Sequence, residues 1–263
     1  MKILQVSRWS TSLFQLSLPF AIYFCIQANA EWYWWATFVF FNIVIYSMIG
    51  NNIALHRYFT HNHFEISKPI EWLFAWCGSM IVIGEPVSYA MTHSVHHDPR
   101  YTDTELDVHG RVRGLKSILV WWHREVNIKE TPIRSKRVID LGRRYGLLHR
   151  YYLLFVAINA VLLYLISWKI FLFCWWLPAC LTAWGVAGAV ITQHWDRKPN
   201  NGWNHKWMIY YEALHKNHHD YPRAPNTALT KDEIDYSYQL SRVFLPNYYW
   251  EGQPNEIHQT QQS

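Results

Sequence analysis

The stretch Trp32–His61, WYWWATFVFFNIVIYSMIGNNIALHRYFTH, decides the fold. From Trp32 to Leu55 it is apolar and longer than the roughly 20 residues a helix needs to cross a bilayer. At its end, with no polar linker, stands His56-Arg57-Tyr58-Phe59-Thr60-His61, an H-x4-H pair. Ionisable residues at membrane depth are costly and usually functional, so these histidines point to chemistry at the mouth of a helical bundle. Two more clusters follow, His93-Ser94-Val95-His96-His97 and His215-Lys216-Asn217-His218-His219. Both read H-x-x-H-H, so that i, i+3 and i+4 share one face of a helix. Imidazole binds iron, copper, zinc and nickel, whereas magnesium and calcium prefer oxygen ligands. Eight convergent imidazoles exceed the needs of one tetrahedral zinc, and two metals are the simpler reading.

Three other stretches have the length and apolar character of a span: Thr11 to Ala28, Leu147 to Trp168 and Ile170 to Gln193. Ile70 to Ala90 is also apolar, but Glu71, Gly78, Gly84, Glu85 and Pro86 interrupt it. It reads as a re-entrant or interfacial element, or as two short helices. The expected fold is therefore an all-α integral membrane protein of one domain, 1–263. Four transmembrane helices (11–28, 32–55, 147–168 and 170–193) carry a cytoplasmic helical cap (56–146 and 194–251).

Charge sets the orientation. Of the 24 Lys and Arg, two precede the first span, 14 lie between Arg57 and Arg150, and seven follow His194. Lys169 alone falls in a connection on the other side, so the positive-inside rule puts every histidine cluster on the cytoplasmic face. Ala28-Asn29-Ala30 resembles a signal-peptidase site, but an ordinary loop after a first membrane helix is the expected reading. The 16 Trp and 17 Tyr suit membrane–water interfaces. Cys25, Cys77, Cys174 and Cys180 lie in apolar stretches without C-x-x-C spacing and read as buried thiols. The net charge of +5 is modest, and no nucleic-acid partner is expected. The chain lacks the full set of paired Glu and paired Glu-x-x-His motifs of soluble di-iron bundles and the H-E-x-x-H of zinc metalloproteases.

The order H-x4-H, H-x2-H-H, H-x2-H-H, with lone His194 closing the fourth span, resembles the membrane fatty acyl desaturases, above all the stearoyl-CoA and bacterial acyl desaturase branch. The likeness covers roughly residues 30 to 225. Asp103-Thr104-Glu105-Leu106-Asp107-Val108-His109 is similar to that family's D-x-x-x-D-P-H continuation, with Val108 in place of Pro. The resemblance implies that His56, His61, His93, His96, His97, His194, His215, His218 and His219 bind two iron ions. It departs at Val190, where the family often has an Asn holding a water on one iron. Here that iron has an open position, or Gln193 or Asn217 substitutes, or the alignment shifts. The chemistry implied is removal of two hydrogens from an unactivated acyl chain; no protein acid, base or nucleophile attacks an alkyl C–H bond, so a metal–oxygen species must do it.

 The substrate implied is a fatty acyl chain carried as acyl-CoA, acyl-ACP or acyl-lipid, with Δ9 as the default bond position. With no H-P-G-G and no cysteine run in this sequence, a fused haem or iron–sulfur domain is not expected. An external electron donor such as cytochrome b5 or ferredoxin is expected, docking on the basic face. The membrane is a bacterial inner membrane or the endoplasmic reticulum.

Other residues are read singly. Asp98, Asp103 and Asp107 are candidates to orient ligand imidazoles by accepting the second ring N–H. His109 belongs to the acidic stretch and reads as a neighbour of ligands or substrate. Arg57 and Asn217 sit inside the clusters, placed to hold ligands or substrate polar groups. His63 is a further candidate ligand by helical direction. His123, His149, His205 and His258 have no partner spacing and are expected at the surface or the interface. Arg111, Arg113 and Lys116 are candidates for coenzyme A phosphates or lipid head groups. Two competing functions remain at this point. One is a related di-iron hydroxylase, ketolase or alkane oxygenase, disfavoured by the H-x4-H spacing. The other is a metal- or haem-binding membrane protein without turnover.

Overall fold

A computed structural model describes residues 5–6, 9–101, 126–127, 135–194, 198–202 and 212–245, with the backbone alone at 5–6, 9–10 and 126–127. The central element is α3, Trp32–Thr60. Its first turns face outward, with Trp32, Tyr33, Val39 and Phe40 exposed, whereas from Tyr46 to Phe59 almost every side chain is buried. From Phe41 onward the helix is wound with i→i+5 spacing, as a π-helix, a winding that occurs mostly at functional sites.

Around α3 lie α1 (Trp9–Leu16), α2 (Leu18–Gln27), α4 (Lys68–Ser79), α5 (Pro86–His96), α6 (Lys136–Arg150), α7 (Tyr152–Ile166) and α8 (Trp168–Gln193). The cap adds α9 (His215–Asp220) and α10 (Tyr236–Phe244). A two-residue antiparallel pair joins β1 (Gln5–Val6) to β2 (Val126–Asn127).

Small and polar residues set the packing of α3, as expected between helices in lipid. Gly50 and Gly78 bring α3 and α4 together so closely that a Cβ on Gly78 would lie 2.7 Å from Cγ of Leu55. On the α8 side, Asn42 donates to the Pro178 carbonyl at 2.9 Å, and Tyr46 donates to the Cys174 carbonyl at 2.8 Å.

Among the described residues two helices, α3 and α8, are long and apolar enough to cross a membrane. The count rises to three if α6 and α7, bent by 59° about Tyr151, form one broken span. Of the four stretches expected to span, 32–55 lies within α3 and 170–193 within α8. The stretch 11–28 breaks at Ser17, because Pro19 lacks the N–H that would continue α1 into α2. The stretch 147–168 begins inside α6, whose polar and basic residues need water, and is free of charged residues only from Tyr151 to Trp168. The interrupted stretch 70–90 forms two helices, α4 and α5, with a buried turn between them.

That turn is costly to build, and side chains from three helices hold it. Val82 sits at φ 62°, an outlier for a β-branched residue. Its carbonyl accepts from Thr11 Oγ1 at 2.6 Å, that of Met80 from Trp175 Nε1 at 2.9 Å, and that of Ser79 from the Tyr152 hydroxyl at 2.9 Å. Buried backbone oxygens are thereby satisfied. Glu85 then caps α5, accepting from the N–H groups of Val87 and Ser88, each at 2.8 Å. The same carboxylate lies 2.7 Å from His149 Nδ1. His149, expected at the surface or the interface, is therefore a largely covered partner of Glu85. All four cysteines are free and buried, as their apolar settings led us to expect.

Candidate metal centre

The winding of α3 explains its H-x4-H spacing. In an α-helix of 3.6 residues per turn, residues five apart point in different directions. In an i→i+5 helix they stand one above the other, and the His61 N–H donates to the His56 carbonyl at 3.1 Å. Both rings therefore face the same side at the helix end.

Nine histidines gather into two neighbouring groups. His56, His61, His93, His97 and His218 form one; His96, His194, His215 and His219 form the other. In each group the candidate ligand nitrogens all lie within 4.8 Å of one another. Each H-x-x-H-H cluster straddles the two groups. The i, i+4 pair His93 and His97 enters the first group while His96 enters the second; the i, i+4 pair His215 and His219 enters the second while His218 enters the first. Helical geometry makes this division natural, since i+3 and i+4 lie on opposite sides of i. His97 and His219 stack at the boundary, with ring centroids 4.2 Å apart.

The Nε2 contacts test whether a cation fits. In the second group they close a ring: His96–His219 2.8 Å, His219–His215 3.0 Å, His215–His194 3.1 Å and His194–His96 3.2 Å. In the first group His218 Nε2 touches both His56 and His97 at 3.0 Å, and His97 Nε2 also touches His93 at 3.0 Å. A neutral imidazole nitrogen that donates has one proton to give, so even two donors alternating with two acceptors supply two protons for the four contacts. One cation at the centre accepts a lone pair from each. A metal about 2.1 Å from its nitrogens sets neighbouring ligands about 3.0 Å apart when they stand at right angles, which matches these distances. His61 Nε2 is buried with no hydrogen-bond partner, a lone pair that a metal in the first group would also use. The residues present thus fit a metal in each group.

Protonation favours the same arrangement. Burial, reinforced by neighbouring imidazoles, holds His61, His97 and His218 well below the usual histidine range and His219 at about 3. Neutral rings are what a metal requires.

The other singled-out residues have distinct places. The Arg57 guanidinium is fully buried and binds Glu212, Asp235 and the Pro225 carbonyl, with nitrogen–oxygen distances from 2.7 Å. It ties the first histidine cluster to the cap. Asn217 donates to the Thr227 carbonyl and to Glu233, both at 3.0 Å, and accepts from Asn201. Gln193 donates to the Glu212 carbonyl at 2.6 Å. His194 Nδ1 donates to the Val190 carbonyl at 2.9 Å, a contact indifferent to the side chain at 190. His63 lies outside both groups, with Nε2 at 3.0 Å from the Pro222 carbonyl. Asp98 pairs with Arg100. Asp103, Asp107, His109, Arg111, Arg113, Lys116, His123, His205 and His258 lie outside the described residues.

Glu212 was missed by sequence reasoning. It lies three residues before His215, and its carboxylate faces both Arg57 and His56 Nδ1, the latter at 3.4 Å. Burial would raise its pKa, but Arg57 and then His56 hold it far below the usual carboxylate range. No spacing rule announces a partner 155 residues away.

The described residues thus combine apolar helices of membrane length with two groups of buried and half-buried histidines that could each hold a metal ion. Comparison with known proteins adds to this. The chain is 27% identical over 259 residues to an acyl-CoA 5-desaturase of Anemone leveillei, covering 92% of this chain and 79% of that one. It is 26% identical over 245 residues to Delta-9 acyl-lipid desaturase 1 of Arabidopsis thaliana, covering 85% and 76%. It is 25% identical over 252 residues to the sn-1 stearoyl-lipid 9-desaturase of Anabaena variabilis, covering 89% of each. No family model matches the chain. Along most of its length the chain is thus similar to fatty acyl desaturases, which are oxidoreductases.

Proposed function

We propose that this protein is an oxygen-dependent desaturase that introduces a cis double bond into a saturated fatty acyl chain at a centre of two irons. The observation that carries the reading is the division of nine histidines, six buried and three half-buried, into groups of five and four. The substrate is an acyl-CoA, acyl-ACP or acyl-lipid, and Δ9 is the bond position we favour. The chain is a multi-pass membrane protein whose single domain keeps its histidines on the cytoplasmic side, in a bacterial inner membrane or the endoplasmic reticulum.

The nine histidines are the iron ligands in this reading. Bound iron supplies the reduction of dioxygen to two waters, which takes two hydrogens from the acyl chain and two electrons and two protons from outside. The electrons come from a carrier such as cytochrome b5 or ferredoxin. The protein's own part is positional. Its buried rings stay neutral and ready to ligate, the turn 80–85 and the Glu85 cap fix α5, and Arg57 fastens the cap to α3.

The test is the fatty-acid profile of cells expressing the chain, by gas chromatography–mass spectrometry with double-bond derivatisation. A new mono-unsaturated acid that disappears with His96→Ala is expected. Hydroxylated or keto products, or no product from iron-loaded protein with a donor supplied, would overturn the proposal.

A further inference from the structure

The helix α9 is six residues long, too short to hold its shape without outside contacts. It nevertheless supplies three of the nine histidines, and supplies them to both groups. Leu214, the residue before it, offers no polar side chain to cap it. The N–H groups in the first turn of a helix have no partner within the helix. Two of them, on Lys216 and Asn217, donate to the side-chain oxygen of Asn201, at 3.0 Å and 3.3 Å. The cap of α9 thus comes from another part of the chain. Asn201 Nδ2 also donates to Asn217 Oδ1 at 3.0 Å, and Asn217 Nδ2 donates onward to the Thr227 carbonyl and to Glu233, both at 3.0 Å. The backbone on either side of Asn201 is tied down as well. The Asn200 N–H donates to the Gln193 carbonyl at 2.9 Å, and the Gly202 N–H donates to the Ala213 carbonyl at 2.7 Å. Asn201 therefore stands on a segment that clips the end of α8, next to His194, to the approach of α9.

We propose that Asn201 is a positioning residue for the metal centre: it caps α9 from outside that helix and, through Asn217, fixes the angle at which His215, His218 and His219 enter the two groups. The inference rests on the two-iron reading above. It also requires an unequal effect on the two metals. The four-histidine group takes two ligands from α9, His215 and His219, whereas the five-histidine group takes only His218. Loosening α9 therefore loosens the four-histidine group more.

The test uses the full chain loaded with ⁵⁷Fe, read by Mössbauer spectra and by iron release to a ferrous chelator well below the unfolding temperature. His194→Ala and His61→Ala, each removing a ligand from one group, assign the two signals. Asn201→Ala should weaken iron binding at the four-histidine group by roughly 2- to 30-fold, the range for loss of a helix cap, with a smaller effect at the other group. Asn201→Asp keeps an oxygen for the two N–H groups and should return most of the affinity. If Asn201→Ala does not fold, Asn201→Gln, which displaces the same amide by one methylene, should show the same preference for the four-histidine group. Losses that are equal at both irons, greater at the five-histidine group or absent overturn the proposal, as does Asn201→Asp binding iron no better than Asn201→Ala. A wild-type chain that holds fewer than two irons overturns the two-iron reading, and the proposal with it.

Discussion

Replacing Gly78 with Ala adds one methyl group at the close crossing of α3 and α4. Its Cβ would stand 2.7 Å and 2.8 Å from Cγ and Cδ2 of Leu55, and 3.2 Å from the Gly50 carbonyl oxygen. Leu55 is fully buried and immediately precedes His56, so relief requires a shift of the helix that presents the histidines. Overpacking of this kind costs about 1–3 kcal/mol. Against it, Ala in place of a helical Gly gains about 1 kcal/mol. The expected balance runs from neutral to about 2 kcal/mol of destabilisation. Gly146 in α6 supplies the contrast, because nothing lies within 4 Å of its Cβ position. Gly146→Ala should show the propensity gain alone. The two variants should therefore differ by about 1–3 kcal/mol, or roughly 2–12 °C in midpoint for a chain of this size. Thermal unfolding in one detergent measures the difference, and a Leu55→Ala background should remove most of it. If Gly78→Ala is as stabilising as Gly146→Ala, the close crossing is wrong.

Acid should destabilise the metal-free protein earlier than carboxylate titration alone predicts. The folded pKa values of His61, His97, His218 and His219 lie below the ordinary 6.5. The unfolded chain therefore binds more protons in that window, and stability is full above about pH 6.5 and falls as the pH drops through it. Unfolding midpoints that stay flat from about pH 8 to pH 4.5 would contradict this. Glu212 acts lower: its stabilisation is present above 4.5 and is lost on further acidification. Arg57→Met strands two buried carboxylates and should cost about 3–5 kcal/mol. Arg57→Lys should fail to restore it, because a lysine cannot reproduce the forked contacts; wild-type unfolding of Arg57→Lys would refute that role. His63→Ala should leave the iron content unchanged while His61→Ala lowers it, as metal analysis of the two purified variants will show.

The apolar runs that became α3 and α8 were plain in the sequence, as were the three histidine clusters. A hydrophobic run and a short spacing are local signals. What stayed hidden was either a local break or a distant partner. Pro19 did mark the interruption after α1, but it stood in a stretch otherwise apolar enough to read as one span. The bend at Tyr151 has no proline, and follows from a change of solvent between α6 and α7. The π-winding of α3 was written into the five-residue step from His56 to His61, yet that step reads as a helix-breaking spacing under α-helical periodicity. Glu212 and His149 find their partners 155 and 64 residues away, where no periodicity reaches. Val82 at positive φ depends on Thr11 and on the packing of the turn, not on the residue's own preference.

The central claim is that nine histidines hold two irons in adjacent groups. Anomalous diffraction at the iron edge, from crystals of the iron-loaded full chain, tests it most directly. The account predicts two peaks per chain, one among His56, His61, His93, His97 and His218, the other among His96, His194, His215 and His219. A single peak, or iron bound away from these rings, would contradict it.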